Sequence, residues 1–356
     1  MNTARLDPQK VEDFVGKVLT DTSGTMSILL AVLGDRLGLF KTLHEGGPST
    51  SVALAARAGI QERYAREWLG GMANAGYVDY APDTGEFSLP PEHVPALVEE
   101  GGPYFFGGLF QEIPPLVGIL DPLTDAFRNG GGVPFSAYGA DLWDGMERFT
   151  NTWFENLLLQ QWIPAMPDVA AKLQQGARVA DIGCGRGRGL IKLAGAYPQS
   201  SFVGYDIFQP SVERARANAE AAGMDDRIHF EQRDVSTSLP EKFDVITTFD
   251  VVHDAPDPLG MLRSIRDGLN EDGIYICVDI NCSEKLEEND GLFGSMLHGF
   301  SVMYCMTTSL SLNGAGLGTL GFHEHKVHEL SKQAGFQEVR KLPLENPFNI
   351  VYEIRP

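Results

Sequence analysis

Basic residues are scarce in this chain. Lys and Arg number 28 against 48 Asp and Glu, leaving a formal net charge of −20 over 356 residues. Nucleic-acid and anionic-membrane surfaces are built from clustered Lys and Arg, so neither partner is expected. Cysteine is also rare. Cys184, Cys277, Cys282 and Cys305 make no C-x-x-C spacing, and they read as free thiols of a reducing, cytoplasmic compartment. No apolar run approaches the roughly 20 residues of a membrane span, and the first residues lack the apolar core of a signal peptide. There is no internal repeat and no low-complexity tract.

What is present clusters around one turn. Residues 177–182 form a short apolar run that reads as a buried strand, and the residues after Gly187 have helical spacing. Between them lies Asp181-Ile182-Gly183-Cys184-Gly185-Arg186-Gly187. Glycines at a strand-to-helix turn let a ligand approach the backbone. A dinucleotide turn needs G-x-G-x-x-G, but the third position is Arg188 or Leu190 in the two possible registers. The carboxylate beside the turn would repel a pyrophosphate and suits a ligand carrying an ammonium group.

Three further strand ends carry acids. Asp206 and Ile207 follow a second strand, and an acid about 20 residues past the glycine turn is placed to accept from a ribose diol. Asp234 and Val235 follow a third strand, where a carboxylate can meet an adenine amino group and an apolar neighbour its ring. Asp250 ends a fourth, within Phe249-Asp250-Val251-Val252-His253-Asp254. In open α/β sheets ligands bind at this carboxyl edge.

These ordered motifs resemble the class I S-adenosylmethionine-dependent methyltransferases. The resemblance implies a Rossmann-like α/β sheet with a terminal antiparallel hairpin. S-adenosylmethionine is then the cofactor, held by Asp181, Gly183, Cys184, Gly185, Gly187, Asp206, Ile207, Asp234, Val235 and Asp250.

Upstream, residues 8–20 and 23–43 read as two apolar helices that could bury against a second copy, implying a homodimer. Residues 37–89 pattern as a winged helix: three short helices, then alternating strands joined by Pro82-Asp83-Thr84-Gly85. Its third helix sets Glu62 and Glu67 against Arg63 and Arg66, a neutral face ill-suited to DNA. The module resembles the dimerisation domain of winged-helix O-methyltransferases. Together with Tyr304-Cys305-Met306-Thr307-Thr308 and Gly314-Ala315-Gly316-Leu317-Gly318-Thr319, it extends the likeness to bacterial winged-helix methyltransferases related to a mycobacterial family. The chain departs from that pattern at Gly321-Phe322-His323.

The expected domains are a helical and winged-helix part over 1–95, an aromatic-rich connector and pocket cap over 96–163, and the cofactor-binding domain over 164–356. Toward the C-terminus, residues 271–273 are expected to turn into a fifth strand, and residues 283–311 to form a helix with a Met-rich face.

Methyl transfer is a displacement at an already activated sulfonium, so the protein chiefly aligns the reactants. A base is needed only where the acceptor must lose a proton. His253 is the candidate, oriented by Asp250 or Asp254, and the resemblance gives a His-Asp pair at this motif the same role. The alternative is a structural histidine. Trp153, His298, Met303 and Tyr304 are expected to line the acceptor pocket. No metal is expected: His323-Glu324-His325-Lys326-Val327-His328 lacks the H-E-x-x-H spacing.

The expected function is methylation of a small, partly apolar molecule, O-directed, with N- or S-acceptors as alternatives. A non-methylating enzyme of the same fold and a ligand-sensing DNA-binding regulator are the other readings.

Overall fold

The computed structural model describes residues 6–356. The chain divides into two compact units, Met1–Pro114 with Asp144–Thr152, and Pro115–Trp143 with Trp153–Pro356. The stretch 96–163, read above as a connector, thus contributes to both.

The first unit opens with α1 (Pro8–Arg36). Asp7 caps it, accepting from Gln9 N–H at 3.0 Å, and Pro8 fits its first turn. Two helices were expected here, and one continuous helix forms. Between the two expected stretches a Thr/Ser cluster donates back along the helix. Thr20, Thr22, Thr25 and Ser27 hydroxyls each reach the carbonyl four residues earlier.

Helices α2 (Leu39–Gly46), α3 (Ser51–Ala58) and α4 (Glu62–Asn74) follow, then the hairpin β1 (Asp79–Ala81) and β2 (Glu86–Ser88). Thr50 caps α3 and left-handed Gly59 ends it. Leu39, Phe40, Leu43, Leu54, Trp68, Leu69 and Met72 form the core under the hairpin. On α4, Arg63 pairs with Glu67 and Arg66 with Glu62. After α5 (Val94–Leu97) and α6 (Gly107–Gly118) the chain runs through α7 (Leu120–Asn129) and α8 (Ala140–Trp153). Arg148 on α8 ties residues 144–152 to the first unit, bridging Asp35 and Glu100, each at 2.8 Å.

The second unit is built on a seven-stranded sheet. Its elements are a π-helical turn at Phe154–Trp162, α9 (Pro167–Gln175), β3 (Arg178–Ile182), α10 (Arg188–Ala196), β4 (Ser201–Asp206), α11 (Gln209–Ala221), β5 (Ile228–Gln232), β6 (Phe243–Phe249), α12 (Pro258–Gly268) and β7 (Leu269–Ile280). Then come α13 (Gly291–Phe300), a π-helical turn at Ser301–Cys305, α14 (Met306–Ser311), α15 (Glu324–Ala334), β8 (Glu338–Lys341) and β9 (Asn349–Arg355). The strand order is β5-β4-β3-β6-β7-β9-β8. The first five are parallel, while β9 pairs antiparallel with both β7 and β8. The chain winds outward from β3 to β5 and returns at β6, so the β3–β6 boundary is the topological switch point.

Two local expectations change. Residues 271–273 do not turn: β7 runs through them from Leu269, and the extra residues are absorbed by a register shift opposite Phe243 and Val245. Residues 283–311 form three successive helical pieces after a short 3₁₀ turn at Leu286–Glu288, not one helix. The first-unit wing is helix and hairpin as expected.

Candidate active site at the carboxyl edge

The glycine turn leaves β3 at the switch point. Gly183 and Cys184 N–H groups both donate to Tyr205 O, at 2.8 and 3.0 Å, pinning the turn to β4. Gly185 N–H donates to Asp206 Oδ2 at 2.9 Å, and Phe208 N–H to Asp206 Oδ1 at 2.8 Å. Burial raises the Asp206 pKa, against the lowering by these backbone donors. Asp181 is buried and accepts from Thr247 Oγ1 at 2.7 Å. Burial lifts its pKa to about 7, against the Thr247 bond and with the Asp206 charge adding.

The glycines differ in what they make room for. A Cβ at Gly183 would strike Val251, and one at Gly187 would strike Phe230 at 2.5 Å. At Gly185, with φ +51, a Cβ would meet nothing within 4 Å. Two glycines therefore serve packing, and the third opens onto free space beside the Asp206 carboxylate. An open cradle rimmed by carboxylates fits an adenosyl group with an ammonium tail. Ile207 is exposed beyond β4, while Asp234 is exposed, accepts from Ser236 N–H, and stands beside buried Val235. Cys184 is buried, and its thiol pKa is raised far up, first by burial and then by Asp206 and Asp181. It lines the turn as an inert side chain.

Asp250 leaves β6 with φ +63, a conformation rare for a residue with a Cβ. The turn delivers His253 into the interior, where it is 2% exposed. Its Nδ1–H donates to Asp279 Oδ1 at 2.6 Å. Its Nε2 lies 3.1 Å from Asp254 Oδ1, and Asp250 Oδ1 is farther, at 3.8 Å from Nδ1. The orienting partner is thus Asp279, a residue the sequence reading missed. Burial opposes charge on His253, but Asp279 and Asp254 outweigh it, holding its pKa well above the usual imidazole value. Asp250 sits at about 7, raised by burial, lowered by His253 and raised again by Asp279 and Asp254.

Of the expected pocket residues, Tyr304 joins an aromatic group with Phe135, Tyr138, Trp143 and Phe208. Tyr138 OH donates to Met303 O at 2.6 Å, which places Met303 beside that group. Trp153 is buried and His298 exposed on α13. Phe208, two residues past Asp206, brings this aromatic group to the end of β4.

Residues 173–335 match the family described as "Methyltransferase domain", and residues 24–98 the "Rv2258c-like winged HTH domain". A ubiquinone biosynthesis O-methyltransferase of Dinoroseobacter shibae is 28% identical over 160 residues, covering 42% of this chain and 63% of that one. The chain thus spans less than two thirds of this curated relative. Among solved structures, the mitomycin 7-O-methyltransferase MmcR superposes with TM-score 0.69 at 21% identity, covering 98% and 99% of the two chains. Human N-acetylserotonin methyltransferase, in complex with S-adenosylmethionine, gives 0.71 at 15% identity over 100% and 99%. These two likenesses are of fold.

The sheet, the open cradle and the family match together define a class I methyltransferase domain whose cofactor is S-adenosylmethionine. The chain thus carries a methyltransferase domain over residues 173–335 and a winged helix-turn-helix module over residues 24–98.

Proposed function

We propose that this protein methylates an oxygen of a small, partly apolar molecule, with His253 as general base. The 2.6 Å bond from His253 to Asp279 carries the reading. It fixes the ring by Nδ1 and leaves Nε2 as the atom able to take a proton. S-adenosylmethionine supplies the activated methyl group when bound. Gly185 and Asp206, with Asp181, Asp234, Val235 and Asp250 around them, would hold it. The chain's own contribution is alignment and, for a hydroxyl acceptor, proton removal. The names of the matched O-methyltransferases favour oxygen over nitrogen or sulfur. Trp143, Tyr304 and Phe208 offer an apolar wall for the acceptor.

The carboxylates that raise the proton affinity of His253 make it a stronger base once it is neutral. They also move its titration to the alkaline side of the ordinary imidazole range. Transfer of labelled methyl from S-adenosylmethionine to a panel of hydroxylated aromatics tests the reading. His253→Ala should lose about 10²–10⁴-fold in rate while keeping cofactor affinity, and the rising limb of the pH–rate profile should vanish. A variant that folds, binds cofactor and turns over fully would remove the base role.

The domain limits 1–95, 96–163 and 164–356 remain the proposed functional division. Helix α1 exposes Phe14, Val15, Val18, Leu19, Met26 and Leu33, more apolar surface than one solvated helix carries. A second copy of the chain is its proposed partner. The internally paired charges of α4 and the acidic chain favour no nucleic-acid role. Among the described residues all four cysteines are free and no helix is long and apolar enough to cross a membrane. A cytoplasmic location is proposed with these.

A further inference from the structure

Beside His253 lies a side chain that methyl transfer does not use. Cys305, on the π-helical turn before α14, is buried with its sulfur turned toward the imidazole. His253 Nε2, Asp254 Oδ1 and Cys305 Sγ all lie within 4.8 Å of one another, with Nε2 and Oδ1 at 3.1 Å. Donors bound to one zinc ion at about 2.0–2.3 Å stand roughly 3.3–3.8 Å apart in a tetrahedron, so small side-chain adjustments would close the three around a cation.

The surroundings supply what metal ligands need. A metal-bound histidine characteristically donates its other N–H to a carboxylate, as His253 Nδ1 does to Asp279. Thr319, itself buried, donates its hydroxyl to Cys305 Sγ at 2.9 Å, which fixes where the sulfur sits. Asp254 Oδ1 is buried and faces His253 Nε2 at 3.1 Å, so the two atoms converge on one point as co-ligands do. One nitrogen, one carboxylate oxygen and one sulfur suit zinc over the hard cations magnesium and calcium.

We propose that His253, Asp254 and Cys305 form a binding site for one zinc-type divalent cation, with its fourth position open. Binding displaces the thiol proton and any proton on Nε2 to solvent. An occupied site ties up the lone pair of Nε2, so zinc inhibits methyl transfer; that consequence, unlike the binding itself, rests on the proposed base role.

Titration of the reduced, full-length protein with Co²⁺, followed by the thiolate-to-cobalt absorption, tests the site without turnover. The result expected is one equivalent bound with that absorption, competed by Zn²⁺, retained in Cys282→Ser and lost in Cys305→Ser. If Cys305→Ser does not fold by circular dichroism, Asp254→Asn decides. It should keep the absorption and weaken the metal by about tenfold or more. No thiolate absorption in the wild type, its persistence in folded Cys305→Ser, its loss in Cys282→Ser, or unchanged affinity in Asp254→Asn would overturn the site. Because no methyl transfer is measured, failure here is distinct from failure of the proposed reaction.

Discussion

Asp181 carries a testable pH dependence. Burial, opposed by Thr247 and reinforced by Asp206, lifts its carboxyl to about 7. Below that pH it is protonated and can no longer attract an ammonium group. Cofactor affinity should therefore rise as pH increases from about 5.5 to about 7.5, a range in which an α-amino group stays largely charged. Calorimetry across that range should show the rise in the wild type and a flatter curve in Asp181→Asn. A wild-type affinity that is flat or falls with pH would exclude an ionised Asp181 as the ammonium partner. The acids of the carboxyl edge were legible because each ends an apolar run. Asp279 was equally visible as the lone charge in the apolar run 274–280, and a buried charge demands a partner. It was passed over because its partner, His253, lies 26 residues earlier and only strand pairing brings them together. Spacing along the chain likewise favoured Asp250 and Asp254, neighbours that lie farther from the ring nitrogens than Asp279 does.

The glycine turn separates scaffold from cradle. Gly187→Ala would force a Cβ into Phe230 at a φ of +77, so it should lower folding stability by about 1–3 kcal/mol. Gly185→Val would meet no neighbouring atom but is strained at φ +51, so it should weaken cofactor binding beyond what its loss of stability explains. Melting curves and calorimetry on both variants check the contrast, and equal binding loss with equal destabilisation would erase it. Helix α1 makes a second expectation. Phe14→Glu with Val18→Glu should convert a dimer to a monomer by sedimentation, and a wild type already monomeric at micromolar concentration would contradict the proposed partner. Parallel strands and their acids were readable because burial leaves continuous apolar runs. Three elements were less so. Residues 8–20 and 23–43 read as two helices, yet α1 runs unbroken from Pro8 to Arg36, with Thr22 and Thr25 hydroxyls back-bonding within it. Glu271-Asp272-Gly273 looked like a turn, yet β7 starts two residues before it. The helical period of residues 283–311 could not reveal the π-helical turn at Ser301–Cys305, which sets Cys305 toward His253.

Taken whole, the chain is acidic, and so is the carboxyl edge of its sheet. Asp181, Asp206, Asp250, Asp254 and Asp279 crowd the carboxyl edge of one sheet, and three of them are raised in pKa by burial. Such an edge favours a cationic ligand and disfavours a phosphate, in keeping with a sulfonium cofactor. The net charge of −20 is what led the sequence reading to expect no nucleic-acid partner. The two-unit division was harder to read, because residues 144–152 join the first unit through contacts distant in sequence, among them the Arg148 bridges to Asp35 and Glu100. The proposed reaction depends on S-adenosylmethionine occupying the space opposite Gly185, beside Asp206. The direct measurement is the equilibrium affinity of the wild type and Asp206→Ala for S-adenosylmethionine, by calorimetry on folded protein. The wild type should bind one equivalent, and Asp206→Ala should lose about 1.5–3 kcal/mol, the range of a hydrogen bond to a charged group. An absence of binding in the wild type, or the same affinity in folded Asp206→Ala, would contradict the placement of the cofactor.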